Sequence, residues 1–129
     1  MIHADIIYKA SIVLTENLFR FSGPIEFEKK IHAQRLAFGD HPRGWQPVVV
    51  VEGYDVLLNE FILKCQNNYK IPYNHEEICH CRMVPTEKVL NAIKQSTFNL
   101  SELGRVTMAG TGCGSCKKDI DDLTKYLVK

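Results

Sequence analysis

The sequence predicts an α+β protein in which a small N-terminal α/β half is followed by an all-α half. Strand-forming residues are concentrated in the first fifty positions, and amphipathic helical spacing of apolar residues recurs in the second half. Four of the five cysteines also occur as two close pairs in the second half. We therefore predict two domains, an N-terminal α/β domain of unknown role at residues 1–74 and a cysteine-rich domain at residues 75–129.

Length, composition and charge indicate an ordinary globular chain. Its 129 residues suffice for one domain or two very small ones, and 45% hydrophobic with 24% charged residues are typical globular values. The net charge of +1 gives no reason to expect nucleic acid as a partner. Residues 1–9 lack a signal-peptide cleavage site, and no apolar stretch approaches the roughly 18 residues that span a bilayer. We therefore expect a soluble, cytoplasmic protein that binds neither nucleic acid nor membrane.

The first elements of the N-terminal half are predicted from β-branched residues and helical spacing. Residues 6–14 are rich in Ile, Val and Tyr, which favours a strand, and residues 18–21 alternate in a way that lets them pair with it. Residues 25–38 place apolar side chains on one helical face and are rich in helix formers. We predict a helix there, although the alternation at its start also fits a strand.

Two further elements follow a predicted loop at residues 39–44, which contains a Pro and two Gly residues. The four consecutive valines at residues 48–51 predict a short buried strand. A helix is then predicted from Asp55, as the N-cap, to about Tyr69. Cys65 belongs to the apolar face of this helix. A buried core cysteine is therefore a better interpretation than a reactive thiol or a thiol that transfers a metal cluster.

The C-terminal half is predicted to contain three helices. A turn-forming segment at residues 67–74 separates the two halves of the chain. Helical spacing of apolar residues then predicts helices at residues 85–95, 100–106 and 116–128, the second of them preceded by Asn99.

The cysteines of the second half form the pattern Cys79-x-Cys81, 31 intervening residues, then Cys113-x-x-Cys116. An odd total of five cysteines argues against a complete disulfide framework. Four thiolates suit zinc or an iron-sulfur cluster and do not suit magnesium or calcium. Zinc sites usually have roughly two to four residues between paired ligands, so the Cys-x-Cys pair favours the cluster.

The surroundings of the second pair favour thiolates over thiols. We expect Cys116 in the first turn of the last helix, where the partial positive charge of the helix N-terminus stabilises a thiolate. Arg82, Lys117 and Lys118 are the neighbouring cations that would ease reduction of a bound cluster, although ordinary surface charge is at least as good an interpretation of each. His80 lies between two cysteines and is interpreted as a spectator, because four thiolates are already available.

Two segments of the second half resemble a known family. The sequences ICHCRMVPTEKVLNAI at residues 78–93 and FNLSELGRVTMAGTGCGSC at residues 98–116 resemble the bacterioferritin-associated ferredoxin-like (BFD-like) 2Fe-2S binding domain. The resemblance covers about residues 77–127 and implies a compact helix-turn-helix fold that holds the cluster between two loops. It does not cover residues 1–76, whose role is therefore not implied by it.

The resemblance also implies a cofactor and a role. It assigns the ligands of a 2Fe-2S cluster to four residues: Cys79, Cys81, Cys113 and Cys116. The role implied is one-electron transfer to or from a redox or iron-sulfur assembly protein. Two alternatives stay open, namely a cluster carrier or iron-homeostasis accessory, and an interaction module stabilised by zinc or by the cluster. The chain has no nucleophile and base with informative spacing, so we expect an electron transport protein without catalytic residues rather than an enzyme.

Overall fold

The computed structural model describes residues 2–6, 9–15, 18–73, 76–79, 83–108 and 117–128, with the backbone alone for Cys79 and Leu100. The chain divides into two compact units, Met1–Tyr69 and Lys70–Lys129. The first unit contains β1 (Ile2–Ile6), β2 (Ala10–Thr15), β3 (Leu18–Ser22), α1 (Ile25–Phe38) and α2 (Gly53–Cys65). The second contains β4 (Glu77–Cys79), β5 (Val84–Pro85), α3 (Thr86–Lys94), α4 (Leu100–Thr107) and α5 (Lys117–Leu127). Strands and helices are both present, as the predicted α+β class requires.

The first three strands form an antiparallel sheet in the order β1, β2, β3. The Lys9 N–H donates to the Ile6 carbonyl at 2.9 Å, and Ile6 pairs with Ala10, so the chain reverses between β1 and β2. The single strand predicted at residues 6–14 is therefore wrong, because a turn interrupts its run of β-branched residues. The predicted pairing of residues 18–21 is confirmed, since β3 pairs with β2. All three strands precede the helices, so this unit is an antiparallel α+β arrangement rather than an alternating α/β one.

The core of the first unit is built from the inner face of the sheet and from both helices. The helix predicted at residues 25–38 is confirmed, and its buried positions Phe27, Ile31 and Gln34 follow helical rather than strand spacing. The other large side chains buried most completely in this unit are Ile12, Trp45, Leu57, Leu58, Phe61 and Ile62. Each such apolar side chain stabilises the fold by about 1.5–3 kcal/mol through burial, before the ordering entropy is counted.

Helix α2 begins three residues earlier and ends four residues earlier than predicted. Its N-cap is Glu52, and Asp55 is the third helical residue of a capping box. One Asp55 carboxylate oxygen accepts hydrogen bonds from the backbone N–H groups of Val51 at 2.9 Å and Glu52 at 3.1 Å. The helix ends at Cys65, and Asn67 then takes a left-handed conformation with φ of 57°. The predicted N-cap at Asp55 is therefore wrong, although the Asp55 carboxylate still accepts hydrogen bonds from backbone N–H groups at the start of the helix.

The valines at residues 48–51 do not form the predicted buried strand. Val49 and Val51 expose 81% and 80% of their surface. The backbone N–H and carbonyl of Val48 are bound by the Asn59 side chain of α2, both at 2.8 Å, instead of by a neighbouring strand. Strand propensity alone thus predicted an extended segment but could not supply the strand that would bury it.

The three helices predicted for the second unit are confirmed. Pro85 is the N-cap of α3, and the Asn99 side chain caps α4 by accepting from the N–H groups of Ser101 and Glu102 at 2.8 and 3.3 Å. The helices contact one another in all three pairings. The apolar core of this unit consists of Ile78, Val84, Val89, Leu90, Ala92, Ile93, Leu103, Ile120, Leu123 and Leu127.

The second unit is not all-α, because β4 and β5 form a two-stranded antiparallel sheet. One hydrogen bond continues this hairpin beyond its two strands, and another attaches it to Tyr73. The Thr86 N–H at the start of α3 donates to the Glu76 carbonyl at 2.7 Å, and the Tyr73 hydroxyl donates to the Glu77 carbonyl at 2.6 Å. The prediction of an all-α half is corrected here: strands of three and two residues are too short to produce a recognisable alternation.

In the part of the chain that the structure describes, every helix is too short to cross a membrane as an apolar span. The longest of these helices, α1, has 14 residues, whereas a membrane-spanning helix needs roughly 20.

Candidate metal centre

The first cysteine pair begins at the end of β4. Cys79 is the last residue of that strand, and its backbone pairs with Val84 of β5 across an irregularity in the register. The neighbouring side chains of Ile78 and Val84 are buried in the core of the unit. This packing holds the backbone that carries Cys79. Cys81 belongs to the connection between β4 and β5 and lies outside the described residues.

The second cysteine pair stands in the chain between α4 and α5. Helix α4 ends at Thr107, and Met108 follows in a left-handed conformation, with its N–H donating to the Gly104 carbonyl at 2.8 Å. Helix α5 begins at Lys117. Cys113 and Cys116 lie outside the described residues, and so does the predicted position of Cys116 in the first helical turn.

Helix α3 connects the elements that flank both pairs. It contacts β4 and β5, which flank Cys81 in the chain, and it contacts α4 and α5, which flank the Cys113 and Cys116 pair. The buried α3 side chains Val89 and Ile93 supply the apolar surface for this packing. The described part of the second unit therefore gathers the four flanking elements around one helix.

The positive charges along α5 are partly compensated by carboxylates of the same helix. The Lys118 ammonium lies 3.3 Å from the Asp122 carboxylate, one helical turn further on. Lys125 lies 2.8 Å from Asp121, whose hydrogen bond and negative charge raise the pKa of Lys125. Lys118 therefore fits the interpretation as ordinary surface charge, and Arg82, the third predicted cation, lies outside the described residues.

Cys65 is buried in the core of the first unit, as predicted. Burial raises the pKa of its thiol to about 11, against a smaller opposing effect of the positive charge on Arg43. A metal ligand must be a thiolate, which this environment disfavours. The environment of the fifth cysteine is thus unsuited to metal binding.

The described histidines and acids do not make a competing site. No group of three or more His, Cys, Asp or Glu side chains that could hold a metal is present among the described residues. His41 caps a short 3-10 turn by accepting a hydrogen bond from the Arg43 N–H at 3.2 Å. His80 is outside the described residues, so its interpretation as a spectator remains a prediction.

Tyr73 was missed by the sequence analysis. Its hydroxyl donates a hydrogen bond to the Glu77 carbonyl in β4, the strand that ends at Cys79. A single tyrosine in a turn-forming segment has no distinguishing pattern, so no signal in the sequence could have found this contact. The residue supports the backbone two positions before Cys79.

Comparison with protein families identifies the second unit. Residues 77–125 match the family model of the BFD-like 2Fe-2S binding domain. The match confirms the resemblance predicted over about residues 77–127 and contains both cysteine pairs. BFD-like domains bind a 2Fe-2S cluster. No curated protein and no solved structure matches the chain.

The donor set fits that cluster. The matched segment contains four cysteines, which is the number of thiolates that a 2Fe-2S cluster takes. Cys65, the one cysteine outside the matched segment, is buried in the core of the first unit. The predicted cofactor, a 2Fe-2S cluster, is therefore the one that the comparison supports.

Proposed function

Because the protein carries a BFD-like 2Fe-2S binding domain at residues 77–125, we propose that this iron-sulfur protein transfers single electrons to or from a protein partner. The observation that carries the proposal is the family match over both cysteine pairs. When bound, the cluster supplies a one-electron redox centre. No substrate chemistry is needed from the chain itself, so the proposal is an electron carrier rather than an enzyme.

We propose that the cluster ligands are the four paired cysteines: Cys79, Cys81, Cys113 and Cys116. Three features of the described residues support this assignment. Strand β4 fixes the backbone at Cys79, α3 packs against the elements flanking both pairs, and α5 begins directly after Cys116. The first N–H groups of a helix have no partner within the helix and carry partial positive charge, which at the start of α5 favours a thiolate at the preceding residue.

The apolar core beneath the hairpin has a second role in the proposal. Ile78 and Val84 are buried beside the backbone of Cys79, and Val89 and Ile93 extend the same core. A rigid core keeps the ligands in place when the charge of the site changes by one electron. The protein thereby contributes positioning and an electrostatic environment, while the partner contributes the other redox centre.

The first experiment is the visible absorption spectrum of freshly purified protein before and after dithionite, with iron, sulfide and zinc determined on the same sample. We expect sulfide-to-iron bands that bleach on reduction, with about two iron atoms per chain. A colourless protein with stoichiometric zinc after anaerobic preparation would refute the redox proposal and leave a structural module.

Serine substitutions test the ligands one at a time. Cys79→Ser, Cys81→Ser, Cys113→Ser and Cys116→Ser should each reduce the cluster content or shift its spectrum. Cys65→Ser is the matched control, and it should retain full iron content because Cys65 lies in the first unit. A full cluster with an unchanged spectrum in any of the four paired variants would remove that residue from the ligand set.

Redox cycling distinguishes an electron carrier from a cluster donor. Under anaerobic conditions, the cluster-loaded protein is repeatedly reduced with dithionite and reoxidised with a chemical oxidant in the presence of an apo-ferredoxin acceptor. We expect the iron to stay with the chain through repeated cycles. Transfer of iron and sulfide to the acceptor on a comparable timescale would favour the cluster-carrier alternative instead.

A further inference from the structure

The segment at residues 46–51, sequence QPVVVV, is held along one edge by two side-chain carboxamides. Gln34 of α1 accepts from the Gln46 N–H at 3.2 Å and donates to the Gln46 carbonyl at 2.9 Å. Asn59 of α2 makes the same pair of bonds to Val48, both at 2.8 Å. One carboxamide can reach the N–H and the carbonyl of a single residue only when that residue is extended. We call each such pair of hydrogen bonds from one side-chain carboxamide a clamp. The two clamps hold Gln46 and Val48 in an extended conformation.

The clamps also determine which edge of the segment is open. In an extended chain, alternate residues direct their N–H and carbonyl groups to opposite edges. Gln46 and Val48 face the helices, so Val49 faces the other way, and Pro47 directs its carbonyl to the same outer edge. The backbone of Val49 makes no hydrogen bond to any part of the chain that the structure describes. Val49 thus presents a donor and an acceptor, next to the acceptor of Pro47.

The side chains beside this open edge are apolar and exposed. Val49 and Val51 show 81% and 80% of their surface to solvent, and Val48 packs partly against the core. Residues 46–51 contain no charged side chain that would discourage pairing with another strand. Exposed, uncharged and β-branched, the segment has the character of an edge strand, and the described residues place no neighbouring strand beside it.

We propose that residues 46–51 bind an extended segment of a partner protein by strand addition, independently of the role proposed for the cysteines. The partner strand is uncharged and β-branched on the face that covers Val49 and Val51. Its backbone forms two hydrogen bonds with Val49 and donates a third to the Pro47 carbonyl. Hydrogen bonding supplies the register, and burial of the valines supplies the apolar contact.

A second copy of this chain fits the edge less well. Antiparallel self-pairing centred on Val49 would place Pro47 opposite Val51 of the other copy. Pro47 has no N–H, and the Val51 N–H is already bound to Asp55 at 2.9 Å, so only the central residue pair could form ladder bonds. Six residues also cover far less than the roughly 800 Å² per partner of a standard stable interface. A separate peptide strand has a free N–H to place opposite the Pro47 carbonyl, so it can form the third bond that a second copy cannot, and its small contact area is that of a short peptide segment rather than of a stable dimer.

The test uses the full cluster-loaded chain and a capped probe peptide, acetyl-Thr-Val-Thr-Val-Thr-amide. Nuclear magnetic resonance of the ¹⁵N-labelled protein should show that the Val49 amide shifts and becomes protected from hydrogen exchange as peptide is added. Two peptides N-methylated on alternate residues serve as controls. N-methylation on the pairing edge should weaken binding about tenfold or more, while N-methylation on the opposite edge should leave it nearly unchanged.

Substitutions in the protein complete the test. Val49→Pro removes the N–H without disturbing a bond or a buried side chain, and it should abolish peptide binding. Val49→Thr retains the N–H and the β-branched shape, and it should bind as the unchanged protein does. An amide of Val49 that stays unprotected at saturating peptide, or equal binding of both N-methylated peptides, would overturn the proposal. Dimerisation of the free chain that Val49→Pro abolishes would overturn the choice of occupant.

Discussion

The buried carboxylate of Asp55 allows a quantitative prediction about the first unit. Its side chain is 5% exposed, binds the Lys30 ammonium at 2.8 Å and accepts two backbone hydrogen bonds at the start of α2. Removing one partner of a buried ion pair costs about 3–5 kcal/mol, and losing a helix cap costs about 1 kcal/mol. These effects overlap, and Glu52 still lies 3.4 Å from Lys30. We therefore expect Asp55→Ala to lower the free energy of unfolding by about 3 kcal/mol.

A conservative variant separates the charge from the hydrogen bonds. Asp55→Asn keeps an oxygen that can accept from the Val51 and Glu52 N–H groups but removes the negative charge. We expect it to cost about 1.5–2 kcal/mol, at the lower end of the range for a hydrogen bond to a charged group. Glu28→Ala is the matched control in the same unit, because the Glu28 carboxylate lies 3.6 Å from His32 in an exposed pair. That change should alter stability by only about 0.5 kcal/mol.

Urea unfolding followed by tryptophan fluorescence is the suitable assay. Trp45 is the single tryptophan of the chain and is buried in the first unit, so its emission reports the unfolding of that unit. A loss below about 1 kcal/mol in Asp55→Ala, or a loss no larger than that in Glu28→Ala, would refute the argument. Such a result would mean that burial does not distinguish the two ion pairs.

The same pair has a defined pH dependence. Burial lowers the pKa of Lys30, but the hydrogen bonds and charges of Asp55 and Glu52 outweigh it, so the pKa is raised above its usual value. A raised pKa means that the contribution is fully present below the ordinary lysine pKa and is lost as pH rises through the folded value. The stability difference between the unchanged protein and Asp55→Ala should therefore be constant near neutral pH and shrink in alkali.

Three further predictions concern single residues. Alkylation of Cys65 by iodoacetamide at neutral pH should be at least about 100-fold slower in the folded protein than in urea, because burial raises its pKa from 9.0 to about 11. Ile93→Ala should destabilise the second unit by about 2–5 kcal/mol, measured by loss of helical circular dichroism, because Ile93 is fully buried in α3. Asn99→Ala should cost about 1 kcal/mol in the same assay, and Asn99→Asp should restore most of it, because the side-chain oxygen caps α4.

Each of these outcomes has a contradicting result. Equal alkylation rates of Cys65 in folded and unfolded protein would show that the thiol is accessible. An Ile93→Ala variant as stable as the unchanged protein would mean that α3 does not organise the second unit. An Asn99→Asp variant no more stable than Asn99→Ala would remove the capping role.

Local patterns predicted much of the fold. The helices α1, α3, α4 and α5 follow from spacing of apolar residues at 3.6 positions, and Asn99 and Pro85 mark helix starts through their own backbone chemistry. The cysteine pattern limited the cofactor to zinc or an iron-sulfur cluster, because the number and softness of the ligands are properties of the residue types themselves, and the family resemblance of the surrounding motifs predicted the 2Fe-2S cluster. These signals lie within a few neighbouring residues or in a motif, so no knowledge of distant contacts was needed.

Other features depended on residues far apart in the chain. The turn at Lys9 divides one apolar run into two strands, and the hairpin of β4 and β5 is too short for any alternation to reveal. Asp55 resembles an N-cap in the sequence, yet Glu52 takes that position because both carboxylates fold back on the helix start.

The sequence by itself determined the α+β composition, the position of most helices and, through a family motif, the identity of the cofactor, because propensity, periodicity and motif resemblance can be read without knowing distant contacts. Only the tertiary structure decided the fate of residues 48–51. Their β-branched residues predicted a buried strand, but Asn59 occupies one edge of Val48 and the described residues provide no strand for the other edge. Burial is a relation between distant parts of the chain, and a strand-forming sequence is buried only when the fold brings a second surface to cover it.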